Sequence, residues 1–495
     1  MTGPSAPVWV GVDLGTGGAR ALAVTADGIV VGSGEAPVAS TRAEGRHEQD
    51  PDAWWQAAAA ALRTALAHLE GPVRGVAVDA TSGTVVAVDD RMRPLSPGLM
   101  YDDARGAPYL DRIHDAGAEL WSALGYRRMQ GSWALPKVLW LLAEVPEVRG
   151  GGRIVHQTDV ITSRLLGRPA PTDLSSALKT GVDLRSGRWP GDVLDALDVP
   201  VALLPEPVPS GARIGEVCAA AAAETGLPVG TPVFAGATDG YAGQLGSGAL
   251  EVGSWSVVLG TTMVFKGVTR EPLSDTAGAV YSHRGPGGLW FPGGASSTGA
   301  GAVAAGFPGA DLDALTVAAR RHDPARCVVY PLVGEGERFP FVAPDARGFT
   351  LGEPADDNER FAAVLQGVGL VERLTLDSLD RLGARLDGRH VTSGGGSRND
   401  YWTRLRADIT GRALSVPEHS GGALGMAALA AAGGGGAERL AEVADRMVRM
   451  RTTVEPDPAR GARFEESYGR LVDALEERGW VRPDLAAHAR ERSAA

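Results

Sequence analysis

The sequence predicts an α/β protein of two similar domains, on three observations. At 495 residues the chain is too long for one typical domain. A strand–turn–strand unit that opens near Val8 recurs near Ser254. Short β-rich runs are interspersed with longer stretches of helical apolar spacing along the chain. With 44% hydrophobic and 22% charged residues, the composition is that of an ordinary globular protein.

The first run, residues 8–13, is β-rich and ends in the carboxylate of Asp13; Leu14-Gly15-Thr16-Gly17-Gly18 is a turn. Residues 19–24 read as a second strand, Asp27-Gly28 as a hairpin turn needing positive φ, and residues 29–32 as a third strand. Asp50 is placed to cap a helix with Pro51 at its first position, and residues 54–69 continue it with strong helix formers. Residues 73–78 form a buried strand leading into Asp79-Ala80-Thr81-Ser82-Gly83, either a strand end facing a cleft or a plain turn. Ser132 can cap a helix whose Leu135, Val138, Leu139 and Leu142 share one face. Residues 234–240 are a short strand giving way to small residues and Asp239, then a helical stretch at 241–245. The first domain is expected to end here, giving domains of 1–247 and 248–485.

The second copy consists of residues 255–259, the turn Gly260-Thr261-Thr262, and residues 263–266. Further on, 391–393 lead into Gly394-Gly395-Gly396-Ser397-Arg398-Asn399, where Asn399 can cap a helix over 401–409. Residues 421–425 open a small-residue helix, and 433–436 are a surface connector.

Several classes drop out. The formal net charge of −12 lacks the basic excess that tracks nucleic-acid phosphates. Cys218 and Cys327 have neither metal-ligand nor redox spacing and read as buried free thiols in a reducing cytoplasm. The N-terminus lacks a signal-peptide pattern, and no run approaches the roughly 18 apolar residues of a membrane helix. Neither a Walker loop, a Gly-x-Gly-x-x-Gly after the first strand, a His-Glu-x-x-His pair nor a Gly-x-Ser-x-Gly elbow occurs.

What remains points to phosphate chemistry. Gly15, Thr16 and Gly17, and again Gly260, Thr261 and Thr262, combine small residues that let backbone N–H groups approach an anion with hydroxyl donors. Taken singly each is an ordinary turn; two facing copies would grip a triphosphate, the arrangement of actin-like ATPases. Gly394 to Gly396 before a capped helix are either a platform for a planar ring or a simple linker. Asp13 could hold Mg²⁺ through water, or only cap its turn. Asp239 has the small neighbours that would let it accept a hydroxyl proton, and it can equally be a helix N-cap; both roles are compatible.

Taken together, residues 13–20, the Gln49-Asp50-Pro51 helix start, Lys137-Val138-Leu139-Trp140, residues 236–239, 259–262, 334–340, 394–402 and 421–425 resemble, in order, the FGGY carbohydrate kinases. The resemblance covers nearly the whole chain. It implies an α/β fold of two actin-like ATPase (ribonuclease H-like) domains with a cleft between them, the first holding the sugar and catalytic base, the second the nucleotide. Where xylulokinases carry Met-His-Gly this chain has Thr81-Ser82-Gly83. With residues 334–340 and Tyr281-Ser282-His283, that looks like the cyanobacterial and plant branch described as D-ribulose kinases. The resemblance therefore implies ATP-dependent phosphorylation of D-ribulose at O5, with D-xylulose or another ketose or polyol as the alternative acceptor. An actin-like ATP-binding protein without sugar kinase activity is the alternative of another class.

Carried over by position, Asp13, Ser82 and Asp239 would line the sugar site, with Asp239 the catalytic base, and Asp103 matches a sugar-binding aspartate of xylulokinases. Gly15, Thr16, Gly17, Gly260, Thr261 and Thr262 would approach the phosphates. Gly395, Gly396, Asn399 and Trp402 would border the adenosine, and Asp13 would anchor Mg²⁺. The expected partners are ATP and a small sugar, with neither nucleic acid nor membrane; the location expected is cytoplasmic, and a homodimer is left open.

Overall fold

The structure, a computed structural model, describes residues 6–125, 129–273, 275 and 277–494. The chain divides into two compact units. One comprises residues 1–250, 283–290 and 419–449, the other 251–282, 291–418 and 450–495.

In the first unit the strands Val8–Gly15, Gly18–Thr25 and Val30–Pro37 form the antiparallel meander that the turn residues predict. Val73–Ala80 then pairs with Val8–Gly15 in parallel, on the other side from the meander. Pro232–Phe234 continues the sheet in parallel, and Arg213–Glu216 closes it antiparallel. Val10, Val12, Val76 and Val78 are fully buried. Helix Pro51–Leu66 starts as expected, with Asp50 accepting from the Asp52 N–H. It covers one face of the sheet, where Gly32 and Gly34 let its backbone lie against the third strand.

The chain returns to this unit for helix Gly422–Ala432, which is buried nearly all round. Its small residues serve close packing, because any Cβ at Gly11 would fall 1.8 Å from the Ala423 carbonyl oxygen. Helix Ala134–Glu144 carries the expected apolar face, but Trp133, not Ser132, is its N-cap residue, and no side chain caps it.

The second unit repeats the same sheet. Trp290–Ser296, Met263–Gly267, Trp255–Leu259, His390–Ser393, Leu414–Pro417 and Met450–Val454 are consecutive neighbours. The pairing of Trp255–Leu259 is antiparallel to Met263–Gly267 and parallel to His390–Ser393, as for Val8–Gly15 and its two neighbours. The outer strands also repeat the senses of the first sheet. Duplication thus extends from a three-residue motif to six strands. The buried helix Asp357–Arg381 fills the core against helix Asp400–Thr410. These two helices are tied by the fully buried Arg406, which forks onto Glu372 and donates to the Thr392 hydroxyl at 2.9 Å.

Candidate active site

Three carboxylates gather in the first unit because three parallel strands end together. Asp13 and Asp79 are register partners on adjacent strands, and Ala237, two residues before Asp239, also pairs with Asp79. Thr238 is the N-cap of helix Asp239–Leu245, so Asp239 is its first residue and not its cap. The Asp239 Oδ1 accepts from the Gly240 N–H at 2.7 Å, and the side chain remains exposed.

The three groups act on one another. Asp79 is completely buried, and that burial, followed by the charges of Asp13 and Asp239, drives its carboxyl well above the usual carboxylate range. Asp13 is also raised, by burial first; the neighbouring Asp79 carboxyl and Arg20 act against this, while Asp239 adds to it. The first turn of helix Gly422–Ala432 lies on Asp79, so that a Cβ at Gly422 would come within 2.5 Å of its Oδ2.

Beside this cluster the Gly15–Gly18 turn borders a cavity of about 560 Å³, lined also by Asp13, Arg20 and Glu35. Gln49 holds the turn, donating to the Thr16 carbonyl at 2.7 Å while accepting from the Trp54 indole at 2.7 Å. The Gln49-Asp50-Pro51 segment thereby couples the helix start to the turn. Gly17 has open space around its Cα, which leaves the backbone approachable.

Ser82 sits in a turn clamped from two sides. Gln157 Oε1 accepts from the Thr81 N–H at 3.1 Å and its hydroxyl at 2.6 Å, and Lys179 Nζ donates to the Ser82 carbonyl at 3.0 Å. The Ser82 hydroxyl itself has no hydrogen-bond partner among the described residues. Asp103, by contrast, is fully buried and spent internally: it accepts from the His47 N–H at 2.9 Å and from the Arg105 guanidinium at 2.8–3.2 Å. Burial raises its carboxyl, but these donors more than offset that and leave it below its ordinary value.

The Lys137–Trp140 motif braces the same loop. Lys137 Nζ donates to the Met100 carbonyl at 2.7 Å, and Arg105 lies 4.4 Å over the Trp140 ring. Complete burial is the main reason the Lys137 ammonium is lowered to about 7.

In the second unit the Gly260–Thr262 turn is held by the Ala300 N–H on the Gly260 carbonyl at 2.8 Å and the Gly301 N–H on the Thr261 carbonyl at 3.1 Å. Glu337, nearly buried, accepts from the Ser297 N–H at 2.6 Å and from the hydroxyls of Ser296 and Tyr330 at 3.0 Å, fixing the strand end next to that turn. Gly394, in the left-handed region at φ 88°, and Gly396 press against Leu259, whereas Gly395 faces open space. Asn399 caps its helix, accepting from the Trp402 N–H, and donates to the Thr316 hydroxyl at 2.9 Å. Trp402 is buried in the core with its indole on the Leu365 carbonyl, 3.0 Å away.

The structure thus groups Asp13, Gly15, Thr16, Gly17, Ser82, Asp103 and Asp239 in one unit and the remaining predicted residues in the other. In the second sheet the register pair equivalent to Asp13 and Asp79 is Val258 and Ser393, without a carboxylate. Sequence reasoning passed over Asp79, Gln157, Lys179 and Glu337. Asp79 alone had a visible signal, a carboxylate at the end of an apolar strand.

The N-terminal domain model of the FGGY family of carbohydrate kinases matches residues 8–246, and its C-terminal domain model matches residues 255–433. A xylulose kinase of Streptomyces coelicolor is 31% identical over 448 residues, 87% of this chain and 89% of that protein. The xylulose kinase of Escherichia coli is 29% identical over 450 residues, 88% of this chain and 90% of that protein. Among solved structures, xylulose kinase from Rhodospirillum rubrum superposes with a TM-score of 0.81 at 27% identity, covering 94% of this chain and 99% of that one. The fold and these matches define a two-domain sugar phosphotransferase of the actin-like type. The chain belongs to the FGGY family of carbohydrate kinases.

Proposed function

We propose that the chain transfers the γ-phosphate of ATP to the terminal hydroxyl of a ketopentose, D-ribulose giving D-ribulose 5-phosphate. The carboxylate cluster at the ends of three adjacent strands carries this reading, because one of its members, Asp239, is exposed while Asp79 beside it is completely buried. Asp239 is the general base that takes the hydroxyl proton, as phosphoryl transfer to an alcohol requires. Asp13 and the free hydroxyl of Ser82 hold the sugar, and Asp103 supports the wall of that site through Arg105 and His47.

Gly15, Thr16 and Gly17 in the first unit, and Gly260, Thr261 and Thr262 in the second, take the phosphates; Gly395, Gly396 and Asn399 border the adenosine, with Trp402 fixing the helix beneath. The donor set fits magnesium that keeps most of its water. No three His, Cys, Asp or Glu side chains among the described residues are placed to hold a metal together, and of the three clustered carboxylates Asp13 is the one that lines the open cavity. When bound, Mg²⁺ supplies charge neutralisation for the transferring phosphate.

Thr81-Ser82-Gly83 in place of Met-His-Gly supports D-ribulose. The names of the relatives support a second reading, D-xylulose as acceptor. Coupled ADP release with Mg²⁺-ATP and D-ribulose, D-xylulose, L-ribulose, L-xylulose, ribitol, glycerol or no sugar tests both. The highest kcat/KM should fall on D-ribulose; a maximum on D-xylulose gives the second reading, and one on glycerol or ribitol overturns the ketopentose assignment.

A further inference from the structure

The second unit carries a groove of about 760 Å³ that the phosphoryl-transfer residues do not explain. None of residues 260–262 or 395–399 lines it. Its walls bring together Arg320, Arg404, Arg451, Arg460 and Arg463 against only Asp323 and Asp400, a net of three positive charges in a chain whose overall charge is −12. The local balance is therefore opposite in sign to that of the whole protein.

The floor of the groove is built. Asp323 accepts from the Tyr401 hydroxyl at 2.6 Å and from Arg460 at 3.0 Å, and Arg460 also reaches the buried Asp408 at 3.3 Å, so that guanidinium is fixed in place. Arg320 stacks 5.4 Å over the Tyr401 ring, and Arg404 donates to the Glu455 carbonyl. Arg451 reaches Asp400 only at 3.5 Å. Arg463 has neither a hydrogen bond nor an ion pair among the described residues. Two of the five cations thus have a carboxylate partner in the groove, and Arg320, Arg404 and Arg463 have none.

Like charges converging on one concavity repel, and an anion seated between them relieves that cost. Planar guanidinium forks suit phosphate oxygens better than a halide, and the volume lies within the range of small-ligand sites. We propose that this groove binds a small, multiply charged phosphate compound at a site separate from the residues assigned to catalysis.

Isothermal titration of the full chain with inorganic pyrophosphate, in magnesium-free buffer and with sulfate as a control anion, tests it. The catalytic phosphate turns can also take pyrophosphate, so the expected wild-type isotherm has two classes of site. In Arg320→Ala/Arg463→Ala one class should weaken at least about tenfold, as loss of charge-assisted bonds requires, while the other is retained. Sugar kinase turnover measured without pyrophosphate should stay within about twofold, since neither residue belongs to the catalytic set. An Arg463→Lys single variant, which keeps charge but not the fork, should bind in between. Identical isotherms for wild type and the double variant overturn the proposal, as does equal binding of sulfate and pyrophosphate. Loss of both classes in the double variant with an unchanged thermal midpoint also overturns it, because the two sites would then not be separate.

Discussion

Lys137→Met replaces a completely buried ammonium with an apolar side chain of similar length. The groups facing this lysine are Lys179 and Arg105, which oppose its charge, and Asp103 and Asp102, which favour it; burial outweighs them all and takes it from 10.5 to about 7. At about 1.4 kcal/mol per pH unit, holding the charged form in the fold costs on the order of 5 kcal/mol. The hydrogen bond to the Met100 carbonyl returns about 1 kcal/mol of that. The folded value lies below the unfolded one, so between about pH 7 and 10.5 the unfolded chain binds the extra proton and stability rises with pH. Below that window both states are protonated and the term is constant. The variant lacks it altogether. Lys137→Met should therefore be the more stable protein near pH 6.5, and its advantage should shrink by about 2 kcal/mol between pH 7.5 and 9. Urea titrations of both proteins across this range, with tryptophan fluorescence as the signal, measure the difference. Parallel pH profiles for the two proteins would refute the reasoning, because they require an ammonium that titrates alike in the folded and unfolded chains.

Asp239→Asn should lower sugar-dependent kcat by roughly 10²- to 10⁴-fold with ATP affinity retained, as seen by coupled turnover and nucleotide titration; near-normal kcat would remove the base assignment. Gly11→Ala forces a Cβ to 1.8 Å from the Ala423 oxygen, and calorimetry should show a loss of about 3 kcal/mol or more, or failure to fold. Gly17→Ala meets no atom within 4 Å and should leave the thermal midpoint unchanged while raising KM for ATP. Glu337→Ala strips the acceptor from Ser296, Ser297 and Tyr330 and should lower stability by about 1–3 kcal/mol for each group left bare, read from thermal unfolding.

The meander, both glycine–threonine turns and the Asn399 cap were legible because each depends on residues close in sequence: a two-residue turn, a glycine, a side chain reaching its own helix start. Asp13 and Asp239 were legible for the same reason, as acids at strand ends. The fate of Asp103 was not, since only folding brings His47 and Arg105 onto its two oxygens. Nor was the burial of Lys137 visible, because an apolar helical face at Leu135, Val138, Leu139 and Leu142 says nothing of a lysine between them. Asp239 is the first helical residue instead of the cap because Thr238, the last residue of the strand Ala237–Thr238, already holds the extended N-cap conformation. None of the described helices is long and apolar enough to cross a bilayer.

The repeated sheet has the same strand order and senses in both units and paired carboxylates at the strand ends in only one. Descent from a paired ancestor of one unit would begin with the same residues in each half. Val258 and Ser393 now stand where Asp13 and Asp79 stand in the other copy. An electrically neutral strand end does not repel a polyphosphate, while an acidic one can draw protons from an alcohol. One chain can therefore carry the same sheet twice with different charge at the same position, an acidic strand end in one copy and a neutral one in the other.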